Sequence, residues 1–336
     1  MPSLWDRFAD LEVAIDDYAV QRRELDVSPQ FKRVTTTVVL HGGDESGQGE
    51  DVTYTADDHD DFPAHEMLAG TWTLHEYSRR LDEIVLFERE PQMEASNDYR
   101  RWAFESAALD LALRQAGSSL ADAAGRPYRP VRFVASTRAD VAAYLALNPK
   151  LEFKLDAEEE WDDTLVARLA ATDRVRVVDF KAYYRGTSVD LAPDAALYRR
   201  VASAFPEAVL EDAWLDGECG EALRDAQDRL SFDAPIHSWD DVESLSVEPR
   251  WLNIKPSRFG TLRRLCECID ACDERGIAMY GGGQFELGPG RTQIQKLASV
   301  FYADGPNDVA PSEYNEGPAR PGLATSPLPA PEGPGF

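Results

Sequence analysis

Val177-Val178-Asp179, Val209-Leu210-Glu211 and Ser231-Phe232-Asp233 are three short apolar runs, each closed by an acid. Leu151-Glu152-Phe153-Lys154 precedes them and Leu252-Asn253-Ile254-Lys255 follows, each closed by a lysine. The terminal charges are spaced 25, 32, 22 and 22 residues apart, each about one strand-plus-helix unit. Working outward, apolar runs at 131–135, 151–155, 174–179, 208–211, 230–233, 251–254 and 277–280 alternate with helical patterns at 162–171, 194–205, 218–228 and 258–276. That rhythm predicts βαβ units around a parallel sheet. An open doubly wound sheet would show the same alternation, so the strand-end charges carry the decision. In a parallel barrel all strand C-termini open on one face, and the five charges would converge on a single mouth.

Three carboxylates without an intervening base suit a hard, oxygen-preferring ion such as Mg²⁺, with positions left for water or a substrate carboxylate. Asp179, Glu211 and Asp233 are the expected ligands. Taken one at a time, an acid at a strand end is usually a solvated residue or a helix N-cap. Three in succession are harder to explain that way. Lys154 and Lys255 would sit roughly opposite each other across the mouth. A lysine beside a divalent ion and other ammonium groups has its pKa lowered, so both are candidate bases. Singly, each would more often be a snorkelling surface lysine.

Upstream, 31–40 reads as a strand that resumes at 51–55 after a polar, glycine-rich turn at 42–49. Helices are expected at 75–87 and 97–115, the second closed by Gly117. The fold expected is therefore α/β, with an α+β capping domain over 1–125, a barrel over 126–310, and an extended or disordered Pro/Gly-rich tail over 311–336. The chain has 336 residues with 43% apolar content, enough for a sizeable core. Its formal charge of -26 argues against nucleic acid and anionic membrane as partners. Cys219, Cys266, Cys268 and Cys272 are too few for a disulfide scaffold and are read as reduced, ordinary helix residues. The first 20 residues lack the pattern of a signal peptide and nothing is long enough to span a membrane, so a cytoplasmic location is expected.

The order Lys, Asp, Glu, Asp, Lys on successive strands, with Ile254-Lys255-Pro256-Ser257-Arg258-Phe259-Gly260 and Met279-Tyr280-Gly281-Gly282-Gly283-Gln284-Phe285-Glu286, resembles the enolase superfamily. Within it the chain looks like the muconate lactonizing subgroup, which includes cycloisomerases, o-succinylbenzoate synthases and dipeptide epimerases. Ala107-Ala108-Leu109-Asp110-Leu111-Ala112-Leu113 is similar to that family's helix leading into the barrel. The resemblance, over about residues 30–315, implies a cap closing over a modified (β/α)7β TIM-type barrel, with Mg²⁺ on Asp179, Glu211 and Asp233. It further implies abstraction of a proton α to the carboxylate of a small substrate, Lys154 serving one face and Lys255 the other. Gly282 and Gly283 would permit close backbone approach to that ligand, and Glu286 would hydrogen-bond within the pocket or start a helix. A homo-oligomer is compatible with this reading.

The sequence also departs from the family pattern. The first lysine of its K-x-K motif is Glu152, the Asn two residues beyond the first ligand is Lys181, the Pro after Glu211 is replaced around Ala213, and the Glu after the third ligand is Ala234. Lys181 has three readings: it reaches into the pocket to hold the substrate carboxylate, pairs with a ligand acid and weakens metal binding, or faces solvent. No histidine falls on the seventh strand, which disfavours a mandelate-racemase-like enzyme. His41, His59, His65 and His75 fall in the cap, and His237 reads as a loop residue. Of the acid pair that dipeptide epimerases carry near the end of the chain, Asp304 alone is present, which disfavours epimerisation. An elimination of the o-succinylbenzoate synthase type leads, ahead of cycloisomerisation and racemisation. A catalytically inactive carboxylate-binding protein and a sugar-acid dehydratase are the competing readings. Specificity is expected from cap loops at 13–27 and 57–70.

Overall fold

A computed structural model describes residues 2–28, 31–64, 67–137, 140–185, 187, 190–315 and 317–336. His65 lies outside the described residues. The N-terminal part contains strands β1 (Glu12–Ile15), β2 (Asp17–Ser28), β3 (Phe31–Gly42), β4 (Glu45–Asp51) and β5 (Gly70–Thr73). β2, β3 and β4 form an antiparallel meander, and β1 pairs with β5. Three helices follow: α1 (Leu74–Asp82), α2 (Ser96–Gln115) and α3 (Leu120–Ala124). Thr73 and Ser119 start α1 and α3 with capping boxes to Glu76 and Asp122, and Gly125 ends α3 in the left-handed conformation.

Two expectations for the cap are corrected. Residues 42–49 are not one turn: after a tight reversal the chain runs as β4. Its glycines signal close packing rather than a bend, since a Cβ on Gly47 would lie 2.3 Å from the Ala107 carbonyl and one on Gly49 2.0 Å from that of Ala103. α2 can therefore lie directly on β4, which explains why the helix is buried along most of its length. Residues 13–27 are not a loop either, because β1 and β2 occupy nearly all of that stretch.

The parallel sheet runs in simple order through β6 (Ala135–Ser136), β7 (Phe153–Asp156), β8 (Val175–Asp179), β9 (Val209–Glu211), β10 (Leu230–Phe232), β11 (Trp251–Ile254) and β12 (Ala278–Gly281). Between them lie α4 (Val141–Leu147), α5 (Asp163–Ala170), α6 (Ala195–Ala204), α7 (Gly217–Ala222), α8 (Trp239–Glu243), α9 (Pro256–Phe259) and α10 (Leu262–Arg275), and α11 (Pro289–Phe301) follows. The helix expected at 258–276 is interrupted at Gly260, whose φ of +68° ends α9 before Thr261 caps α10. The 218–228 stretch is a short α-helix followed by a 3-10 turn.

Closure falls to two residues. Asn307 bridges to Phe133 and Asp308 to Gly282, both in parallel sense, so 307–308 take the place of an eighth strand between β12 and the start of the barrel. Fully buried Asn307 staples this seam: its Oδ1 accepts from the Gly281 amide at 2.7 Å and its Nδ2 donates to the Arg132 carbonyl at 2.9 Å. Val177, Val209 and Tyr280, with Trp251, form a small apolar cluster of their own, separate from the main core. Two residues along β8 and β9 from the first pair stand Asp179 and Glu211, on the same face by strand alternation.

Among the described residues of the Pro/Gly-rich 311–336, one short 3-10 turn is followed by turns, bends and isolated bridges. The segment is packed: Leu328 bridges to Val131, and buried Phe336 meets Trp102 edge-to-face at 6.2 Å. The four cysteines stand free and buried. Among the described residues no helix is long and apolar enough to cross a membrane.

Candidate active site

The strand-end charges do converge. All five are buried: Asp179 and Glu211 end β8 and β9, Asp233 and Lys255 directly follow β10 and β11, and Lys154 is the second residue of β7. Lys154 Nζ lies against Glu211 Oε1 and 3.3 Å from Asp179 Oδ2. Lys255 Nζ is 2.6 Å from Asp233 Oδ2. The two lysines therefore attach to different members of the acidic group. Gly282 makes room for one of them, since a Cβ there would meet Asn253 Oδ1 at 2.5 Å and Lys255 Cε at 2.9 Å.

A fourth buried acid, not foreseen in the sequence, belongs to the same cluster. Among the described residues, Asp179, Glu211 and Asp212 offer carboxylate oxygens that all lie within 4.8 Å of one another. Asp212 accepts the amides of Asp233 (2.8 Å) and Ala234 (3.0 Å), which ties the second acidic strand end to the third. Asp233 is held by Lys255, by Tyr184 Oη at 3.0 Å and by Arg258 Nε at 3.2 Å from its Oδ1. An all-carboxylate, oxygen-only donor set of this kind fits a hard divalent ion. Asp233 Oδ1 is buried and faces Arg258 Nε as an ion pair rather than as a hydrogen bond.

The protonation pattern follows from these contacts. Burial, and then the neighbouring acids, push the Glu211 carboxyl up to about 8 against the pull of Lys154; Asp212 is pushed up to about 7 for the same reasons. Asp179 is held well below the usual range, because Lys181 and Lys154 outweigh its burial, and Asp233 likewise by Arg258 and Lys255. Burial acts to lower the Lys154 pKa, but Glu211 and Asp179 overcome it and hold it well above the usual value. The lowering expected for this lysine belongs to one beside a divalent ion, and the raised value here to Lys154 paired with the acids alone.

Lys181 is paired with the acid at the end of β8. Its Nζ contacts Asp179 Oδ2 directly and lies 3.4 Å from Asp156 Oδ1, with the side chain 14% exposed at the rim. Both Lys181 (φ +54°) and Asp212 (φ +52°) adopt the left-handed backbone conformation, uncommon for non-glycine residues and recurrent at functional sites. Tyr184, from the loop after β8, spans the mouth: it donates to Asp233 and accepts from Arg258 Nη2 at 3.1 Å. Glu211 Oε2 receives Tyr280 Oη and, at 3.2 Å, Asn253 Nδ2.

Other candidates are placed elsewhere. Glu286 is turned toward the seam between cap and barrel, where it accepts the Gln284 amide at 2.5 Å and lies 3.0 Å from Arg291 Nη2. A Cβ on Gly283 would strike Glu286 Oε2 at 2.3 Å, so this glycine makes room for that turn. Glu152 is taken up by Arg132 and Arg176. Asp304 pairs on the surface with Arg129, whereas Asp308 lies 3.8 Å from Lys154. His237 shares its Nδ1 between Asp98 of α2 and the Arg258 carbonyl, linking cap to barrel.

Residues 6–123 and 127–316 match, respectively, the N-terminal and C-terminal domains of a family described as "Domain of unknown function (DUF8230)". The chain belongs to the DUF8230 family. This DUF8230 chain is also 25% identical to an o-succinylbenzoate synthase of Geobacillus stearothermophilus over 305 residues, 85% of the chain and 79% of the relative. The structure of an MLE variant superposes with a TM-score of 0.71 at 16% identity, covering 96% of each chain. Muconate cycloisomerase from Pseudomonas fluorescens gives 0.65 at 18% identity over 89% of this chain and 87% of that one. An enolase superfamily member from Enterococcus faecalis gives 0.64 at 19% over 90% and 87%. The fold of this chain is that of the enolase superfamily, a cap joined to a (β/α)7β barrel, as the motifs led one to expect.

Proposed function

We propose that this protein is a Mg²⁺-dependent lyase or isomerase that removes a proton α to the carboxylate of a small substrate. The observation that carries the proposal is the buried acidic cluster flanked on one side by Lys154 and on the other by Lys255. Asp179 and Glu211, with Asp212 or Asp233, would hold the ion. A divalent ion there would supply positive charge where negative charge builds on the substrate carboxylate. Lys154 and Lys255 would take and return protons at two faces of one carbon. In a syn elimination, one lysine would remove the α-proton and hand it to the β-oxygen as the C–O bond breaks, so that water leaves and a double bond forms; in an epimerisation, one lysine would remove the α-proton and the other would return a proton to the opposite face. Tyr184 and the cap residues Tyr54 and Tyr99, joined to Gln284, would exclude water above the reacting carbon. The division between a specificity cap and a catalytic barrel, at about residue 125, belongs to this reading. The relative named o-succinylbenzoate synthase favours elimination among these reactions.

A second reading has one observation in its favour: Lys181 already neutralises Asp179, which suits a carboxylate-binding protein without turnover. The two separate in D₂O. A panel of carboxylic acids incubated with the protein and Mg²⁺ is expected to include at least one that gains deuterium α to its carboxylate, and Lys154→Ala or Lys255→Ala is expected to abolish the gain. Deuterium uptake by no acid, with ligand affinity indifferent to both substitutions, would leave only the binding protein.

A further inference from the structure

The oxygens best placed to take a metal ion are already claimed. Asp179 Oδ2 is shared by two ammonium groups, Lys181 and Lys154, and Glu211 Oε1 is met by Lys154. An ion coordinated by these atoms must push at least one ammonium away, because a divalent charge and an ammonium cannot share an oxygen at contact distance without strong repulsion. The two lysines differ in their freedom to go. Lys154 is 2% exposed and reaches a further acid, Asp308, only at 3.8 Å. Lys181 is at the rim, 14% exposed, hangs from the loop after β8 rather than from a strand, and has Asp156 at 3.4 Å as a second partner.

We infer that Lys181 is a resident counter-cation of the metal site, and that metal ion and substrate carboxylate bind as a pair because the carboxylate gives the displaced Lys181 a new partner. This rests on the carboxylate-directed reading of the mouth given above and adds a property that reading does not require. Metal arriving alone meets an ammonium it must repel; an anion arriving alone meets a lysine already neutralised by Asp179. Each ligand removes the obstacle to the other, so their affinities are coupled, and by linkage the coupling factor is the same in both directions.

The test measures Mn²⁺ affinity of the full chain by calorimetry, with and without saturating succinate as the probe carboxylate. For the unsubstituted protein, succinate is expected to tighten Mn²⁺ binding at least tenfold, while neutral succinamide leaves it unchanged. In Lys181→Asn and Lys181→Gln, Mn²⁺ alone is expected to bind at least tenfold more tightly, with the succinate effect reduced below threefold. Mn²⁺ affinity indifferent to succinate in the unsubstituted protein, or no Mn²⁺ binding under either condition, overturns the inference without any variant having to fold. Unchanged Mn²⁺ affinity in variants with an unaltered melting curve overturns the role of Lys181. The readout is affinity, so coupling without deuterium exchange would leave this inference standing and remove the proposed reaction, and exchange without coupling would do the reverse.

Discussion

Two regions of the molecule bury charge, and they do so in opposite ways. At the seam between cap and barrel, two fully buried charges, Arg33 and Glu50, are answered by backbone. Arg33 of β3, with no exposed surface, donates to four main-chain carbonyls: Val52, Thr53, Gln284 and Phe285. Glu50 of β4 accepts the amides of Leu287, Gly288 and Gly290, and so caps α11 from a separate part of the chain. At the mouth, charges are answered chiefly by other side chains: Lys154, Lys181, Lys255 and Arg258 against Asp179, Glu211 and Asp233. A backbone partner is fixed by the fold and cannot be exchanged. A side-chain partner can be replaced by an ion or a substrate that brings its own charge. The seam is thus built to stay as it is, and the mouth to be rearranged.

The comparison can be broken most severely at the seam. Arg33→Met leaves four carbonyls without a donor in a buried place, and a loss on the order of 3–5 kcal/mol is expected in urea unfolding; a loss below 1 kcal/mol would mean the seam is hydrated rather than locked. At the mouth the expected effect is on chemistry instead. Lys255→Ala should lower α-proton exchange by about 10²–10⁴-fold while the unfolding midpoint stays close to that of the unsubstituted protein. A large loss of stability with exchange intact would reverse the assignment of the two regions.

Glu50→Gln keeps the shape at the start of α11 but loses the charge that answers its amides, and should cost about 1–3 kcal/mol. The smallest expected effect concerns pH. His59 is buried, with its ring between Thr36 Oγ1 at 3.0 Å and the Thr53 carbonyl at 2.9 Å. Burial lowers its pKa, and the positive charges of Arg100 and Arg33 add to this against the opposite pull of Asp51. The unfolded chain therefore takes up a proton near the ordinary value of 6.5 that the folded chain refuses. Its contribution is present above about pH 6.5 and is lost as pH falls below it, by at most about 1 kcal/mol. Glu211 and Asp212, pushed up to about 8 and about 7, titrate with the opposite sign in the same range, so the slope is read as the difference between the unsubstituted protein and His59→Gln in melting curves from pH 7 to 5.

The mouth was legible in the sequence to the extent that it is made by strand ends. A parallel barrel brings those ends together whatever the helices do, so Lys154, Asp179, Glu211, Asp233 and Lys255 could be read from spacing. Asp212 was missed because strand alternation points the residue after Glu211 to the other face, and only its left-handed backbone turns it to the amides of the next strand end. The adjacent acids Glu211-Asp212 were the available signal. Tyr184 and Arg258 reach the mouth from loop and helix, and their reach depends on a chain path that no periodicity encodes. Arg258 did stand inside the motif that carried the family resemblance.

The seam was hardly legible. Arg33 and Phe285 are 252 positions apart, and nothing local marks their meeting. Glu286 reads as a pocket acid because it follows three glycines, yet the glycines let it fold back toward Arg291. Gly47 and Gly49 gave a turn signal for the same kind of reason: glycine marks close approach as readily as it marks a bend.

The claim that the mouth rearranges while the seam does not is tested most directly by an anomalous difference map from crystals of the full chain grown with Mn²⁺ and succinate. A peak is expected between Asp179 and Glu211, with Lys181 Nζ moved off Asp179 and the contacts of Arg33 and Glu50 unaltered. No peak at the mouth, or a peak there with Lys181 still on Asp179, would contradict it.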